Sequence, residues 1–397
     1  MSTTTRRDPL EFLSTELETL KSQGLYRPLR VLEQEQRART NFDGRSVVNL
    51  SSNNYLGLTT HPRLRERALR AIEEFGVGSG SVRTIAGTMA IHLELERRLA
   101  EFKRTEAVVV FQSGFTANAG TVSSILTKED VIVSDELNHA SIIDGARLSR
   151  ATIKVFPHKD VEAARAILRD LPATQRKLLI TDGVFSMDGD LGPLPALCDL
   201  ADEYGCIMMV DDAHASGVFG QNGRGTVDHF GVHGRVDVQV GTLSKAVGAL
   251  GGYVAGSRSL IEFLYHRARP FLFSTSHPPS VAATCIAAID VLMEEPHIID
   301  QLWENTRFFK AGLQSLGFDT GISESPITPV IVGDGALTMR LSDRLFESGV
   351  FAQGIAFPTV PRGKARVRTI VTATHSQDEL QFALDTFGRV GRELGVI

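Results

Sequence analysis

A chain of 397 residues, 42% hydrophobic and 22% charged, has the composition of a soluble globular protein with room for one large domain and a smaller one. A formal net charge of -5, with no basic run and no interleaving of basic and aromatic residues, gives nucleic-acid binding no support. The first residues lack the apolar stretch of a secretory signal, and no apolar run is long enough to span a bilayer. Cys198, Cys206 and Cys285 show no CxxC spacing, so a cytoplasmic protein with reduced thiols and no membrane span is expected.

Residues 8–23 carry Phe12 and several leucines at helical spacing and predict an amphipathic helix, ended by Gly24. Short strands are expected at 27–32 and 46–50, around the Asp43-Gly44 turn. Residues 51–58 then break the pattern. They read either as a loop whose Asn and Ser side chains satisfy their own backbone, or as a ligand site lined by Asn54 and Tyr55. A charged helix follows at 63–75. The glycine-rich stretch 76–88 fits neither the Walker pattern nor a strand–turn–helix context, and is expected to be an extended loop of close approach. Another helix opens near His92 and runs to Lys103.

From residue 107 strands and helices alternate. Continuous apolar runs at 107–111, 131–133, 177–182, 206–211, 236–240 and 252–256 predict strands covered on both faces, hence an α/β fold with a mostly parallel central sheet flanked by helices. Each is followed by a polar cluster. In such sheets ligands sit beyond the carboxyl ends of the strands, so Ser113, His139, Ser186, Asp211, His214 and Lys245 are expected to converge on one crevice. After about residue 290 the pattern changes to a smaller α+β domain. The expected division is 1–55 as an N-terminal helix and short strands, 56–289 as the large domain, and 290–397 as the small one.

The chemistry starts from Lys245. It lies in a run of small uncharged residues, 240–252, with no acid to pair with. A lysine in a Gly/Ser loop suits a solvated turn; a buried one has a lowered pKa and a nucleophilic amine. Asp211 can cap a turn or hold a pyridinium nitrogen, and His214 lies near enough to reach the same ring. Metal ligation by Asp211, Asp212 and His214 lacks further ligands at suitable spacing. His139 can be a satisfied polar residue or can stack on a cofactor. Ser113 and Gly114 open a helix whose N–H groups form an anion cradle. Together these supply what pyridoxal 5'-phosphate (PLP) requires: an aldehyde partner, a pyridinium partner, a stacking group and an anion site.

The stretches NNYLG (53–57), GSGSVRTIAGT (78–88), QSGFTAN (112–118), DELNHASIIDG (135–145), TDGVFSMDGD (181–190), VDDAH (210–214), GTLSK (241–245), FSTS (273–276) and PTVPRG (358–363) come in that order. With them the sequence resembles the α-oxoamine synthase family of fold-type I PLP enzymes along essentially its whole length. The resemblance implies condensation of an amino acid with an acyl-CoA, on a homodimer with shared sites. It implies that Lys245 forms the Schiff base and moves protons, Asp211 holds the pyridinium, and His214 and Ser186 bond the ring oxygen. His139 would stack on the ring, while Ser113, Gly114, Phe115 and Thr242 hold the phosphate and Ser274 and Thr275 reach it from the neighbouring subunit. Asn54, Tyr55 and Arg368 would meet substrate. On the residues alone Arg366 or Arg368 could bind the substrate carboxylate, one of the two being expected to face the site, and the motif favours Arg368. Among the family's activities, residues 81–88 look like the glycine C-acetyltransferase form, which is the expected activity. 8-Amino-7-oxononanoate synthase or a broad-specificity α-oxoamine synthase comes next, ahead of serine palmitoyltransferase or another PLP reaction such as transamination.

Overall fold

The computed structural model describes residues 8–23, 26 and 28–397. Its centre is a seven-stranded sheet of β1 (Ala107–Phe111), β2 (Val131–Asp135), β3 (Thr152–Phe156), β4 (Lys177–Asp182), β5 (Ile207–Asp211), β6 (Val238–Thr242) and β7 (Gly252–Gly256). The spatial order is β1-β7-β6-β5-β4-β2-β3. β7 is antiparallel to β1 and β6, and the other pairings are parallel. The strands β2, β4, β6 and β7 are buried along their whole length, as strands covered on both faces must be. β3 was not expected. It lies at the sheet edge with Thr152, Ile153, Lys154 and Val155 exposed, so it has no continuous apolar signature.

Register brings the chemistry together. Asp182 on β4 lies opposite Asp211 on β5, and Asp211 lies opposite Val240 on β6, so three strands end side by side. Beside them β7 starts at Gly252, where an added Cβ would lie 2.4 Å from the Ser113 carbonyl carbon. Only glycine lets the loop after β1 come that close.

Ile327–Gly333, Ala365–Ile370 and Gln353–Ile355 form an antiparallel sheet; the helix Gly335–Glu347 packs on it and the helix Gln377–Glu393 packs on that helix. Arg39–Phe42 and Arg45–Asn49 form a hairpin through Asp43 and Gly44, at φ 49° and 74°, and the second strand pairs with Val350–Phe351. The strand expected at 27–32 is therefore at Arg39–Phe42; Leu32 makes only an isolated bridge to Phe42, and Arg27 lies outside the described residues. The 76–88 loop is extended except for a helical turn at Arg83–Gly87, where buried Arg83 grips Glu96 with two bonds of 2.9 Å. One apolar cluster runs from Val110 through the helix Pro279–Glu294 to Phe309, Val330 and Phe387, so sheet and C-terminal layers share a core. The first helix, Glu11–Ser22, buries none of its residues, and Gly24, expected to end it, lies outside the described residues.

Candidate active site

Beyond the ends of β4, β5 and β6 lies a cavity of about 200 Å³ lined by Ser113, Gly114, Phe115, His139, Ser141, Asp182, Val184, Ser186, Asp211, Ala213, His214, Thr242, Ser244 and Lys245. A larger surface cavity of about 1280 Å³ beside Gly333–Gly335 and Phe357–Arg362 holds no comparable convergence of titratable groups. Chemistry, not volume, decides between them.

Lys245 is half-buried in the turn after β6 and makes no ion pair with any described carboxylate. Burial lowers its pKa to about 8 against the opposing charges of Asp211 and Asp182, with Arg368 adding to the lowering. Asp211 ends β5. Its Oδ2 accepts the Asn118 amide at 2.6 Å and its Oδ1 the Ala213 N–H at 2.9 Å. The same Asn118 amide donates to Ser141 Oγ at 2.9 Å, and Ser141 Oγ lies 2.7 Å from His139 Nδ1. One amide thus ties the carboxylate to the histidine. Asp182 accepts the His139 backbone N–H at 3.0 Å, and burial, with the Asp211 charge beside it, raises its pKa well above the carboxylate range.

His214 Nδ1 lies 2.7 Å from the Tyr55 hydroxyl. Burial, then the charges of Lys245, Arg368 and His139, push the His214 pKa far down, so the ring is neutral. Burial raises the Tyr55 pKa, so the phenol keeps its proton and donates it. Nδ1 is then the acceptor and Nε2 carries the hydrogen. Ser113 caps the helix Gly114–Ile125, its Oγ accepting the Thr116 N–H at 3.1 Å, so the first N–H groups of a twelve-residue helix open onto the cavity. Thr242 Oγ1 and Ser244 Oγ, 2.7 Å apart, line the same end. An amine that can lose its proton, a carboxylate fixed by N–H donors, a neutral histidine and an anion cradle fit PLP.

The comparisons agree. The family model described as aminotransferase class I and II matches residues 45–387. An 8-amino-7-oxononanoate synthase from Symbiobacterium thermophilum is 63% identical over 388 residues, covering 98% of this chain and 99% of that protein. The synthase of that name from Thermoanaerobacter pseudethanolicus is 58% identical over 389 residues, covering 98% of each. Among solved structures, a serine palmitoyltransferase with PLP matches at a TM-score of 0.94 and 34% identity, covering 98% of this chain and 100% of that one. The chain belongs to the α-oxoamine synthases, within the aminotransferase class I and II family. It is a PLP-dependent acyltransferase of fold-type I. Neither synthase carries the glycine C-acetyltransferase name that residues 81–88 suggested; both carry that of the second-placed activity.

As an α-oxoamine synthase, the chain brings nine of the expected residues to one cavity: Ser113, Gly114, Phe115, His139, Ser186, Asp211, His214, Thr242 and Lys245. Arg368 approaches from the C-terminal sheet, its Nη1 donating to the Ser186 carbonyl at 3.1 Å, and it has no carboxylate partner among the described residues. Arg366 bonds the Met187 carbonyl at 3.0 Å and Asp188 Oδ1 at 2.5 Å. The expectation that only one of the two faces the site is corrected: a spacing of two puts both on one face, and partners, not faces, distinguish them. Asn54 and Tyr55 do not line the cavity. The Asn54 amide bonds Thr59 Oγ1 at 2.7 Å, and Tyr55 stands behind His214. Ser274 and Thr275 also lie outside this chain's own cavity, with Thr275 exposed and its carbonyl accepting from Gln112. Asp212, next to Asp211, is turned into the core, on Lys103 Nζ at 3.2 Å and Thr226 Oγ1 at 2.5 Å. Asn118, Ser141, Asp182 and Ser244 were not singled out from sequence; Asp182 carried a signal, a carboxylate ending an apolar strand.

Proposed function

We propose that this chain is an 8-amino-7-oxononanoate synthase. It joins alanine to a pimeloyl thioester: the C–C bond forms at the amino-acid α-carbon, the alanine carboxylate leaves as CO₂, and the thiol is released. The observation that carries this reading is the 63% identity to the relative of that name over nearly the whole of both chains.

PLP supplies the electron sink that stabilises a carbanion at the α-carbon. Lys245 Nζ would hold the cofactor and would move the α-proton, which its pKa of about 8 permits near neutrality. Asp211, fixed by Asn118, would hold the protonated ring nitrogen. His214 would donate its Nε2–H to the ring oxygen, beside Ser186. His139 would cover the ring. The N–H groups after Ser113, with Thr242, would hold the phosphate. Arg368, a half-buried cation without a carboxylate among the described residues, suits the substrate carboxylate. The position of Ser274 and Thr275 outside this chain's cavity supports a homodimer in which a second copy brings them to the phosphate.

The test is CoA release from alanine, glycine and serine, each with pimeloyl-, acetyl- and palmitoyl-CoA. Alanine with pimeloyl-CoA is expected to have the highest kcat/KM, with an 8-amino-7-oxononanoate mass. Glycine with acetyl-CoA leading overturns the proposal.

A further inference from the structure

Outside the cavity, one group of buried charges has no part in the reading so far. His158 follows β3, with its Nδ1 3.0 Å from Asp135 Oδ1 and its Nε2 3.0 Å from Asp190 Oδ2. Both carboxylates are fully buried. Lys159 Nζ adds a second cation on Asp190 at 3.0 Å and lies 3.7 Å from Glu324. Glu136 accepts the His158 backbone N–H at 2.9 Å, and the Phe185 ring meets the imidazole edge-on at 4.4 Å. A ring with a carboxylate at each nitrogen donates to both only when protonated. Burial opposes that charge, but the bonds to Asp135 and Asp190 outweigh it and lift the pKa to about 9.

This cluster holds a turn. Phe185 N–H donates to the Asp190 carbonyl at 3.0 Å and Gly189 N–H to the Phe185 carbonyl at 2.8 Å. Gly189 has φ +75°, and a Cβ there would lie 2.5 Å from the Ile327 carbonyl, so the turn is pressed against the C-terminal sheet. The Ser186 and Met187 carbonyls on this turn are those that accept Arg368 and Arg366.

We propose that His158 is a positioning residue for amino-acid binding: bridging Asp135 and Asp190 as an imidazolium, it fixes the 185–190 turn and, through that turn's carbonyls, sets where the Arg368 guanidinium points. This rests on the reading of Arg368 as the carboxylate-binding residue. The bridge is complete below the ordinary histidine pKa and is lost as pH rises through about 9, when one ring nitrogen turns acceptor towards a carboxylate.

The test measures KM and kcat for the amino acid from pH 6.5 to 9.5 in the PLP-loaded wild type, His158→Gln, Asp190→Asn and Arg368→Gln, with bound PLP followed by absorbance. His158→Gln is expected to keep its PLP and hold kcat within about threefold while raising KM about tenfold. The wild-type rise in KM above pH 9 should vanish in it. Lys245 is common to both proteins, so the difference between their profiles reports His158. Asp190→Asn should raise KM in the same direction. A purely structural role predicts lower thermal stability with KM and its pH dependence unmoved, and that result overturns the proposal if Arg368→Gln raises KM. Arg368→Gln leaving KM unchanged overturns the reading beneath it instead. Should His158→Gln fail to fold, selectively labelled histidine NMR on the wild type decides: a midpoint near 9 supports the bridge, and one near 6.5 overturns it.

Discussion

The lowered pKa of Lys245 is the property on which the proposed chemistry turns, and it can be perturbed in both directions. At pH 7 a pKa of about 8 leaves roughly one-tenth of the amine neutral, against about one part in 3,000 for a lysine at the ordinary 10.5. The difference, about 300-fold in nucleophile, corresponds to roughly 3 kcal/mol. Burial lowers the value, Asp211 and Asp182 raise it, and Arg368 lowers it. Asp211→Asn is therefore expected to move the Lys245 midpoint down and Arg368→Gln to move it up. The folded pKa lies below the unfolded one, so the charged amine destabilises the cofactor-free protein below pH 8. That penalty is relieved as pH rises from about 8 towards 10.5. Trace acetylation of the cofactor-free protein across pH 6–11, read at each lysine by mass spectrometry, measures the neutral amine directly, with exposed Lys128 as internal standard. A Lys245 midpoint above 10 refutes the reasoning. So do shifts of the wrong sign in the two variants.

Three further perturbations probe the groups behind the cavity. Tyr55→Phe removes the donor that fixes the His214 tautomer and leaves a buried Nδ1 unpaired, at a cost of about 1–3 kcal/mol. Its kcat should fall about tenfold or more, and the absorbance of bound PLP should become dependent on pH where the wild type's is not. Asn118→Ala removes a hydrogen bond to the charged Asp211, worth about 1.5–3 kcal/mol, so PLP should bind roughly 10- to 100-fold more weakly in equilibrium dialysis. Unchanged affinity would place Asn118 outside the cofactor site. Lys103→Met strands the fully buried Asp212 and should lower stability by about 3–5 kcal/mol in urea unfolding; Lys103→Met with Asp212→Asn should recover part of that loss, as a paired charge requires.

The sequence pattern reaches as far as backbone periodicity reaches. Predominantly apolar runs mark β2, β4 and β6 because strands covered on both faces admit few polar residues, and a ligand site beyond their ends follows from the parallel topology. β3 escapes the same reading because an edge strand with four exposed residues has no such constraint. The roles of individual side chains are set by partners far along the chain. Asn118 meets Asp211 at a separation of 93 residues and Tyr55 meets His214 at 159, and neither spacing leaves a local mark. Arg366 and Arg368 show the limit most sharply. Two residues apart on one strand, they are equivalent to any periodic argument, and both reach the same turn. Asp188, 178 residues before Arg366, neutralises that arginine and leaves Arg368, half-buried, as the one of the two without a carboxylate among the described residues. Asp188 sits on the turn that His158 and Asp190 hold. Under the proposed function, it is the loop after β4, not the strand that carries both candidates, that singles out Arg368 for the substrate carboxylate.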